Sequence, residues 1–496
     1  MFLRQGLSLE TSYGSLTLFT TILHNVFLLY HVDTFVSVYK IDKVSFWFGE
    51  AIFLAWNSFN DPLFGWFSDS KFLSSKKDQR PTKNDSSDII WTRLTALHTY
   101  GPLFAISFSL FWINWSWPGL QFAVCLCLYD GFLTMIDLHH NALLADLSIS
   151  GDKRTRLNSS CSVFSAFGSV SVFLSYLFWN KASLSIFRTF CFGLALMSFA
   201  GYLVMVKALK STYTKQSKDS FSEIEVSHKH KDDSSMETQA SVVKFGKQLL
   251  SHRNFLWFAL MNLVQVFHCH FNSNFFPLFL DTLLGEAVSP TVASTLLGLS
   301  FVAPHINNLY FLVLCRKFGV YTIIRSLFLV KLGLSLVMYL AGPSWIWLLC
   351  LFIASNRVFT EGTCKLLSLV ISDLVDEDVV LHSRPKAVSA LVFGTAALVS
   401  KPGQTLAPVI GTWILALQTG HDIFQSGNES GSLKLDLTKM DDGVQAMYKT
   451  GVFSMLICVP VICAVLQLLA WSQFTLRGNR LAQVKAARLG LQQIQV

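Results

Sequence analysis

Charge is scarce in this sequence: 14% of its 496 residues are Asp, Glu, Lys or Arg, where a soluble globular chain carries about 25%. A water-soluble body of this size would lack the polar side chains to cover itself, which excludes a soluble enzyme or binding domain. No cleavable leader is expected either. The opening MFLRQGLSLE is short, and the apolar run after it is too long for a signal-peptide core. The first helix is therefore expected to act as its own uncleaved insertion signal. The ten cysteines follow neither a disulfide framework nor a zinc-ligand spacing. They fall in or at the ends of apolar segments and read as small packing residues. There is no nucleophile elbow, phosphate loop or H-E-x-x-H motif, so the chain is not expected to be an enzyme, and no metal site is expected.

What the chain has in abundance is apolar length. Hydrophobic residues make up 52%, with 43 Phe and 13 Trp, and several runs exceed the roughly 20 residues that cross a bilayer as a helix. The fold class is all-α integral membrane protein. Twelve helical spans are expected near 13–38, 44–67, 91–114, 120–147, 158–179, 186–207, 254–280, 291–314, 322–341, 346–372, 387–417 and 450–475. The segment 208–253 separates them six and six. It contains STYTKQSKDSFSEIEVSHKHKDDSSMETQ, too polar to offset its ordering entropy, and is expected to be disordered. The expected organisation is thus a six-helix half over 1–207, a linker over 208–253, a second half over 254–475 and a basic tail over 476–496. Two six-helix halves on a polar linker have the layout of the major facilitator fold.

Basic loop residues orient the chain. Lys71, Lys76, Lys77, Arg80 and Lys83 lie between spans 2 and 3, Lys153, Arg154 and Arg156 between spans 4 and 5, and many more in the central linker. Both termini are therefore expected in the cytoplasm, with the plasma membrane as the location. The sequon at Asn428 then falls outside, as a glycosylation candidate, and that at Asn84 inside. The net charge of +8 concentrates in cytoplasmic loops, where anionic lipid attracts it. Membrane lipid, not nucleic acid, is the expected macromolecular surroundings, and a monomer is favoured. The tail RGNRLAQVKAARLGLQQIQV has two open readings: an amphipathic helix on the membrane surface, or a solvated extension.

Ionisable groups inside membrane helices are costly and mark function. In WNSFNDPLFGWFSDS, Asn57 and Asp61 are four apart and share a helix face. Pro62 crowds the carbonyl of Ser58 and frees it from helical bonding. A carboxylate, an amide oxygen and a free carbonyl suit a small cation, Na+ or a proton; a structural Asp–Pro kink is the alternative. In span 4, Asp130 and Asp137 lie two turns apart, and His140 and Asn141 continue that face, as expected of a cavity wall. His139 points elsewhere, as a packed ring. In span 10, Arg357, Glu361 and Lys365 are spaced four and four, so Glu361 can pair with both; the excess positive charge calls for a carboxylate from another helix or a substrate anion. Lys401 precedes Pro402 and Gly403 in span 11. His268, His270, Asn272 and Asn274 of span 7 read as a pocket wall.

These residues carry a resemblance. WNSFNDPLFGW is similar to the second-helix motif W-D-x-x-N-D-P-x-x-G of the glycoside–pentoside–hexuronide cation symporters, typified by melibiose permease. TMIDL resembles that family's span 4 around a sugar-binding aspartate, ISDLVDEDVV the segment after span 10, and LVSKPGQ the lysine-bearing segment of span 11. The resemblance implies uptake of a sugar with sodium, lithium or a proton, and no other cofactor. It also implies a cation site with two carboxylates in span 2; Asp61 matches the second, whereas Asn57 stands in place of the first. Asp137 matches the sugar-binding acid of span 4. Span 1, YGSLTLFTTILHN, lacks the acid that would pair with it, and NSSCSVFSAFG in span 5 lacks the family's arginine. The expected function is a secondary transporter of a small polar solute, sugar-like or an organic anion. A transporter-derived receptor or scaffold is the alternative.

Overall fold

The computed structural model describes residues 8–73, 83–179, 184–219, 238–384, 387–419 and 442–494, and every regular element among them is helical. In chain order these are α1 (Leu9–Asp33), α2 (Lys43–Leu73), α3 (Lys83–Ser109), α4 (Pro118–Leu147), α5 (Gly151–Phe178), α6 (Ser185–Asp219), α7 (Thr238–Ser251), α8 (Arg253–Phe279), α9 (Pro290–Phe318), α10 (Val320–Ala341), α11 (Ile346–Leu381), α12 (Ser389–Thr419), α13 (Asp442–Gln473) and α14 (Gly478–Ile494). Each of the twelve expected spans coincides with a helix, and α7 and α14 are additional. Among the described residues, six stretches are long and apolar enough to cross a membrane: Ser87–Trp112, Pro118–Leu147, Ser185–Lys215, Gly298–Phe318, Val320–Ala341 and Gln445–Gln473.

Local chemistry sets several ends. Ser8 caps α1 by accepting from the Thr11 amide at 3.1 Å, and Ser289 with Pro290 starts α9. Gly319 closes α9 with a φ of +83°, a left-handed conformation open to glycine, and α10 begins at the next residue.

Three expectations are corrected. Both edges of 208–253, expected to be disordered, are helical: α6 continues to Asp219 and α7 fills Thr238–Ser251, while 220–237 lie outside the described residues. Phe245 and Leu249 of α7, four apart, are both buried, an apolar stripe that the polar average of the segment concealed. Second, α11 runs past 372 to Leu381, because the charges of its last turns have partners. Third, the tail neither lies free nor keeps its basic residues for lipid: α14 places Arg480 on Glu377 at 2.9 Å, Lys485 on Asp373 at 2.8 Å and Arg488 on Asp376.

The chain forms two compact units, one of Met1–His252, Leu369–Leu398 and Leu476–Val496, the other of Arg253–Ser368 and Val399–Thr475. In the first, α1 packs on α5 and α6, α3 on α4 and α6, and α2 on α4. Small and polar residues bring α1 and α5 close. Gly14 abuts Ser160, Thr17 donates to the Cys161 carbonyl at 3.0 Å and Asn25 to Ser169 at 3.2 Å. Apolar burial gives helices no preference for each other over lipid, so close packing and such bonds hold them. In the second unit, α10 packs on α13 and α9, and α13 on α8. Its core is rich in Phe271, Phe275, Phe276 and Phe279. On α2, Trp47, Phe48, Phe59 and Phe67 face outward, an apolar surface suited to lipid rather than water.

An ion-pair network closes one end of the first unit. Arg93, fully buried, bonds Asp69 at 2.6 Å and Asp146 at 3.2 Å. Arg154 grips Asp376 through both terminal nitrogens, at 2.7 and 3.0 Å, and reaches Asp373 at 3.3 Å. Arg384 holds Asp378 at 2.6 Å, and His252 meets Glu377 at 2.9 Å. Six carboxylates (Asp69, Asp146, Asp373, Asp376, Glu377, Asp378) thus face six cations (Arg93, Arg154, Arg384, Arg480, Lys485, Arg488). Half of those cations belong to α14, so the tail completes the charge balance of this end.

Candidate functional site

Polar groups gather at two places, one in each unit. In the first unit they lie on α2 and α4. Asn57, Asn60 and Asp61 of α2 are all buried. Asn60 donates its amide to Asp130 at 2.5 Å and to Thr134 at 3.3 Å, tying the two helices together beside Asp61. Helix α2 continues through Pro62. Two glycines of α12 and α2 allow close backbone approach here. A Cβ on Gly394 would stand 2.6 Å from the carbonyl oxygen of Asp61, and one on Gly65 would stand 2.8 Å from that of Ala390. The cation candidate therefore sits where α12 lies directly on the backbone of α2.

Along α4 the expected polar stripe divides. Asp130 is half-buried and bonded to Asn60. Asp137 is exposed and within electrostatic range of Tyr129 and Tyr202. His140 is set apart from both: it stacks on Tyr13 of α1 at 4.1 Å, and Tyr13 donates to the His140 carbonyl at 2.9 Å. Asn141 is half-buried beside it. His139 is buried against Tyr100. In place of an acid, α1 presents His24, whose Nδ1 lies 3.2 Å from the Tyr129 hydroxyl.

The second gathering lies on α8, α9 and α11. Arg357 is buried, donates to Ser300 of α9 at 3.2 Å and lies over the Phe276 ring of α8 at 5.4 Å. Glu361 is half-buried and within electrostatic range of Arg357 and His270; Lys365 is half-buried and within range of His305 on α9. Lys401 is half-buried on α12, two residues before Gly403, where a Cβ would stand 2.6 Å from the Leu263 carbonyl of α8. Among the described residues no group of His, Cys, Asp and Glu converges to hold a metal ion. Asn428 lies outside the described residues.

Behind this face runs a buried polar chain that sequence reasoning missed in part. Lys331 of α10 contacts His268 Nδ1 at 2.9 Å and donates to Gln467 of α13 at 2.7 Å. Gln467 donates to Gln265, and Gln265 donates to the Thr360 carbonyl of α11 at 2.8 Å. Asn272 extends the chain by donating to the Thr360 hydroxyl at 3.2 Å, and Asn356 donates to the Asn272 side-chain oxygen at 3.1 Å. His268 and Asn272 were visible as polar interruptions. Lys331, in LFLVKLGLSL, is equally visible as a charge in an apolar run. Gln265 and Gln467 carry no charge and gave no comparable signal.

With this geometry described, comparison with known proteins adds the following. A model of the family described as MFS/sugar transport protein matches residues 13–477. A curated relative from Gallus gallus, named Transmembrane protein 180, is 56% identical over 485 residues, covering 97% of this chain and 95% of its own. The relative of the same name from Mus musculus is 56% identical over 512 aligned positions, covering 99% and 96%. Among solved structures, a bacterial homologue of the iron transporter ferroportin in an outward-facing state superposes with a TM-score of 0.61 at 14% identity, over 95% of this chain and 100% of that one. The major facilitator superfamily transporter FucP, in the outward conformation, gives 0.56 at 14% identity, over 94% and 98%. At such identity the likeness is one of fold.

Proposed function

The chain belongs to the family of MFS/sugar transport proteins, and on that premise we propose that it is a secondary transporter that moves a small polar solute, sugar-like or an organic anion, by alternating access. Its fold is that of a transporter, and several of its helices are apolar enough to lie in a membrane. The observation that carries the finer reading is the polar cluster of buried Asn57, Asn60 and Asp61 with half-buried Asp130, on helices that also carry exposed apolar residues. Such groups are expensive inside a bilayer and persist where they bind something. In this reading Asp61 with Asn57 binds the coupling ion, and the candidate solute-binding residues are Asp137 in the first unit and, separately, Arg357, Glu361, Lys365 and Lys401 in the second. With Asn57 in place of a second carboxylate, the site holds one charge fewer, which favours a proton over Na+. In this reading both termini are cytoplasmic, an orientation supported by the asymmetry of basic loops, and the membrane is the plasma membrane.

The test is uptake by the full-length protein in proteoliposomes, screened with sugars and organic acids under an imposed proton or sodium gradient. Asp61→Asn is expected to abolish gradient-driven accumulation. Accumulation that persists unchanged in that variant refutes the coupling role. The absence of the helix 1 acid and helix 5 arginine of the resembled symporters favours a second reading, a receptor or scaffold that moves nothing. Solute-induced stabilisation lost in Asp137→Asn, without uptake, would select a receptor.

A further inference from the structure

On the outer surface of the first unit, α3 and α6 together present a basic and aromatic patch. Trp91, Thr95 and His98 follow one another at helical spacing on α3, and Lys207 and Lys210 do so on α6. Lys210 bridges the two helices: its ammonium lies 3.5 Å from the Thr95 hydroxyl and 5.7 Å from the centre of the Trp91 ring. His98 stands within electrostatic range of both lysines. Trp91, Thr95 and Lys207 are exposed, and His98 and Lys210 are half-buried. Two ammonium groups therefore share one small area that is open to the surroundings.

The position of the patch matters as much as its charge. Thr95 meets Lys210, and further along Gly101 meets Tyr202, so the helices run antiparallel. Both lysines fall within the last three turns of the apolar stretch Ser185–Lys215, and Trp91 within the first two turns of Ser87–Trp112. The patch thus lies at one end of two stretches apolar enough to cross a membrane, the depth at which tryptophan and lysine meet the lipid–water boundary. On the same face of α6, Met197, Ala200 and Val204 are exposed at spacings of three and four residues that lead up to Lys207. An apolar track that runs from the middle of a span to a pair of ammonium groups matches the chemistry of a phospholipid, with acyl chain along the track and phosphate at its end.

We infer that this surface binds one anionic phospholipid, its headgroup phosphate received by Lys207 and Lys210 beside Trp91 and an acyl chain laid along Val204, Ala200 and Met197. A soluble phosphate would meet the ammonium groups and leave the apolar track uncovered, so the occupant is the lipid. The site lies wholly within the first unit, and it stands or falls independently of the transporter reading. Each lysine at such a surface gives about a fivefold preference for an anionic over a neutral lipid.

The experiment uses the full-length protein in a non-ionic detergent, offered equal amounts of phosphatidylglycerol and phosphatidylcholine with the same chains. Bound lipids are counted by native mass spectrometry. Wild type is expected to hold one phosphatidylglycerol in preference. Each of Lys207→Gln and Lys210→Gln should weaken that preference about fivefold, and the double variant about 25-fold. Replacing both lysines by arginine keeps the charge and should keep the preference. Lys153→Gln, which removes an exposed charge on α5, should change nothing. Glycerophosphoglycerol, the same headgroup without chains, should not displace the lipid when added in excess. An undiminished preference in the double glutamine variant overturns the inference, and so does its loss in the arginine variant. An equal loss in Lys153→Gln would show a general field of basic residues in place of a site, and displacement by the bare headgroup would show an anion site in place of a lipid site; either result overturns it too.

Discussion

The bidentate grip of Arg154 on Asp376 makes a test of how the charged end of the first unit is held. Arg154 and Asp376 are both almost wholly buried. Breaking a buried pair by removing one partner typically costs about 3–5 kcal/mol. In Arg154→Met, however, Asp376 keeps Arg488 and Asp373 keeps Lys485, which places the loss near the lower bound, about 3 kcal/mol. At roughly 2–4 °C per kcal/mol that is a fall of about 6–12 °C in melting temperature. In Arg488→Met, Arg154 still grips both oxygens of Asp376, and the loss should be about 1–2 kcal/mol. The double variant leaves Asp376 with neither cation. Its loss should exceed the sum of the singles by about 1–3 kcal/mol. That excess has a ceiling, because the carboxyl can instead take a proton, at a cost of about 4 kcal/mol at pH 7 from a reference pKa of about 3.9. The escape dictates the pH dependence. In the double variant the folded-state pKa of Asp376 lies above its unfolded value. Its deficit therefore grows as pH rises and should be about 2.5 kcal/mol smaller at pH 5 than at pH 7. The measurement is a double-mutant cycle of melting temperatures in nanodiscs at both pH values and one scan rate. Losses that add within about 0.5 kcal/mol and do not change with pH would refute this account of the network.

Two further predictions follow from the same structure. Burial pushes the Asp378 carboxyl up, but hydrogen bonds from His382 and Arg384 and the Arg384 charge outweigh it and hold it below the usual carboxylate range. A depressed folded-state pKa contributes stability above the unfolded value that is lost as pH falls through the folded one. Arg384→Gln should accordingly melt lower than wild type at pH 6, by the equivalent of about 3 kcal/mol, with the gap closing below about pH 4; a gap that is constant with pH counts against this. Gly394→Ala would put a methyl group 2.6 Å from the Asp61 carbonyl oxygen, a backbone atom that cannot swing aside, and should cost about 1–3 kcal/mol. Gly333→Ala, with nothing within 4 Å, is the control. It should be neutral or stabilising by up to about 1 kcal/mol through helix propensity, as thermal melts of the two variants would show.

Much of the molecule could be read before any coordinates. Long apolar runs identify the helices because a chain in lipid must satisfy its backbone internally. The positions of Asp61, Asp130, Arg357 and Glu361 stand out because charge is rare in such runs. The ends were harder. Asp373, Asp376, Glu377 and Asp378 look like the stop of a helix, yet α11 runs through them to Leu381 because cations of α5, α12's approach and α14 neutralise them. The linker was misjudged for the opposite reason: composition averaged over 208–253 hid the paired Phe245 and Leu249 of α7.

The sequence by itself determined the class, the helices and the list of ionisable groups that a membrane interior must accommodate. It did so because hydrophobic length and helical periodicity act over one to five turns. Which of those groups meet was decided by tertiary structure. Arg154 and Asp376 stand 222 residues apart, Asn60 and Asp130 stand 70 apart, and Lys331 and Gln467 stand 136 apart. An i, i+4 rule reaches neighbours on one helix, so it could pair Glu361 with Arg357 and Lys365 but could not bring Ser300 or His305 to the same face. The tail shows the division most plainly. Its basic residues suit an anionic lipid surface and a carboxylate cluster equally well, and only the folded position of Asp373, Asp376 and Glu377 determines that α14 binds the protein.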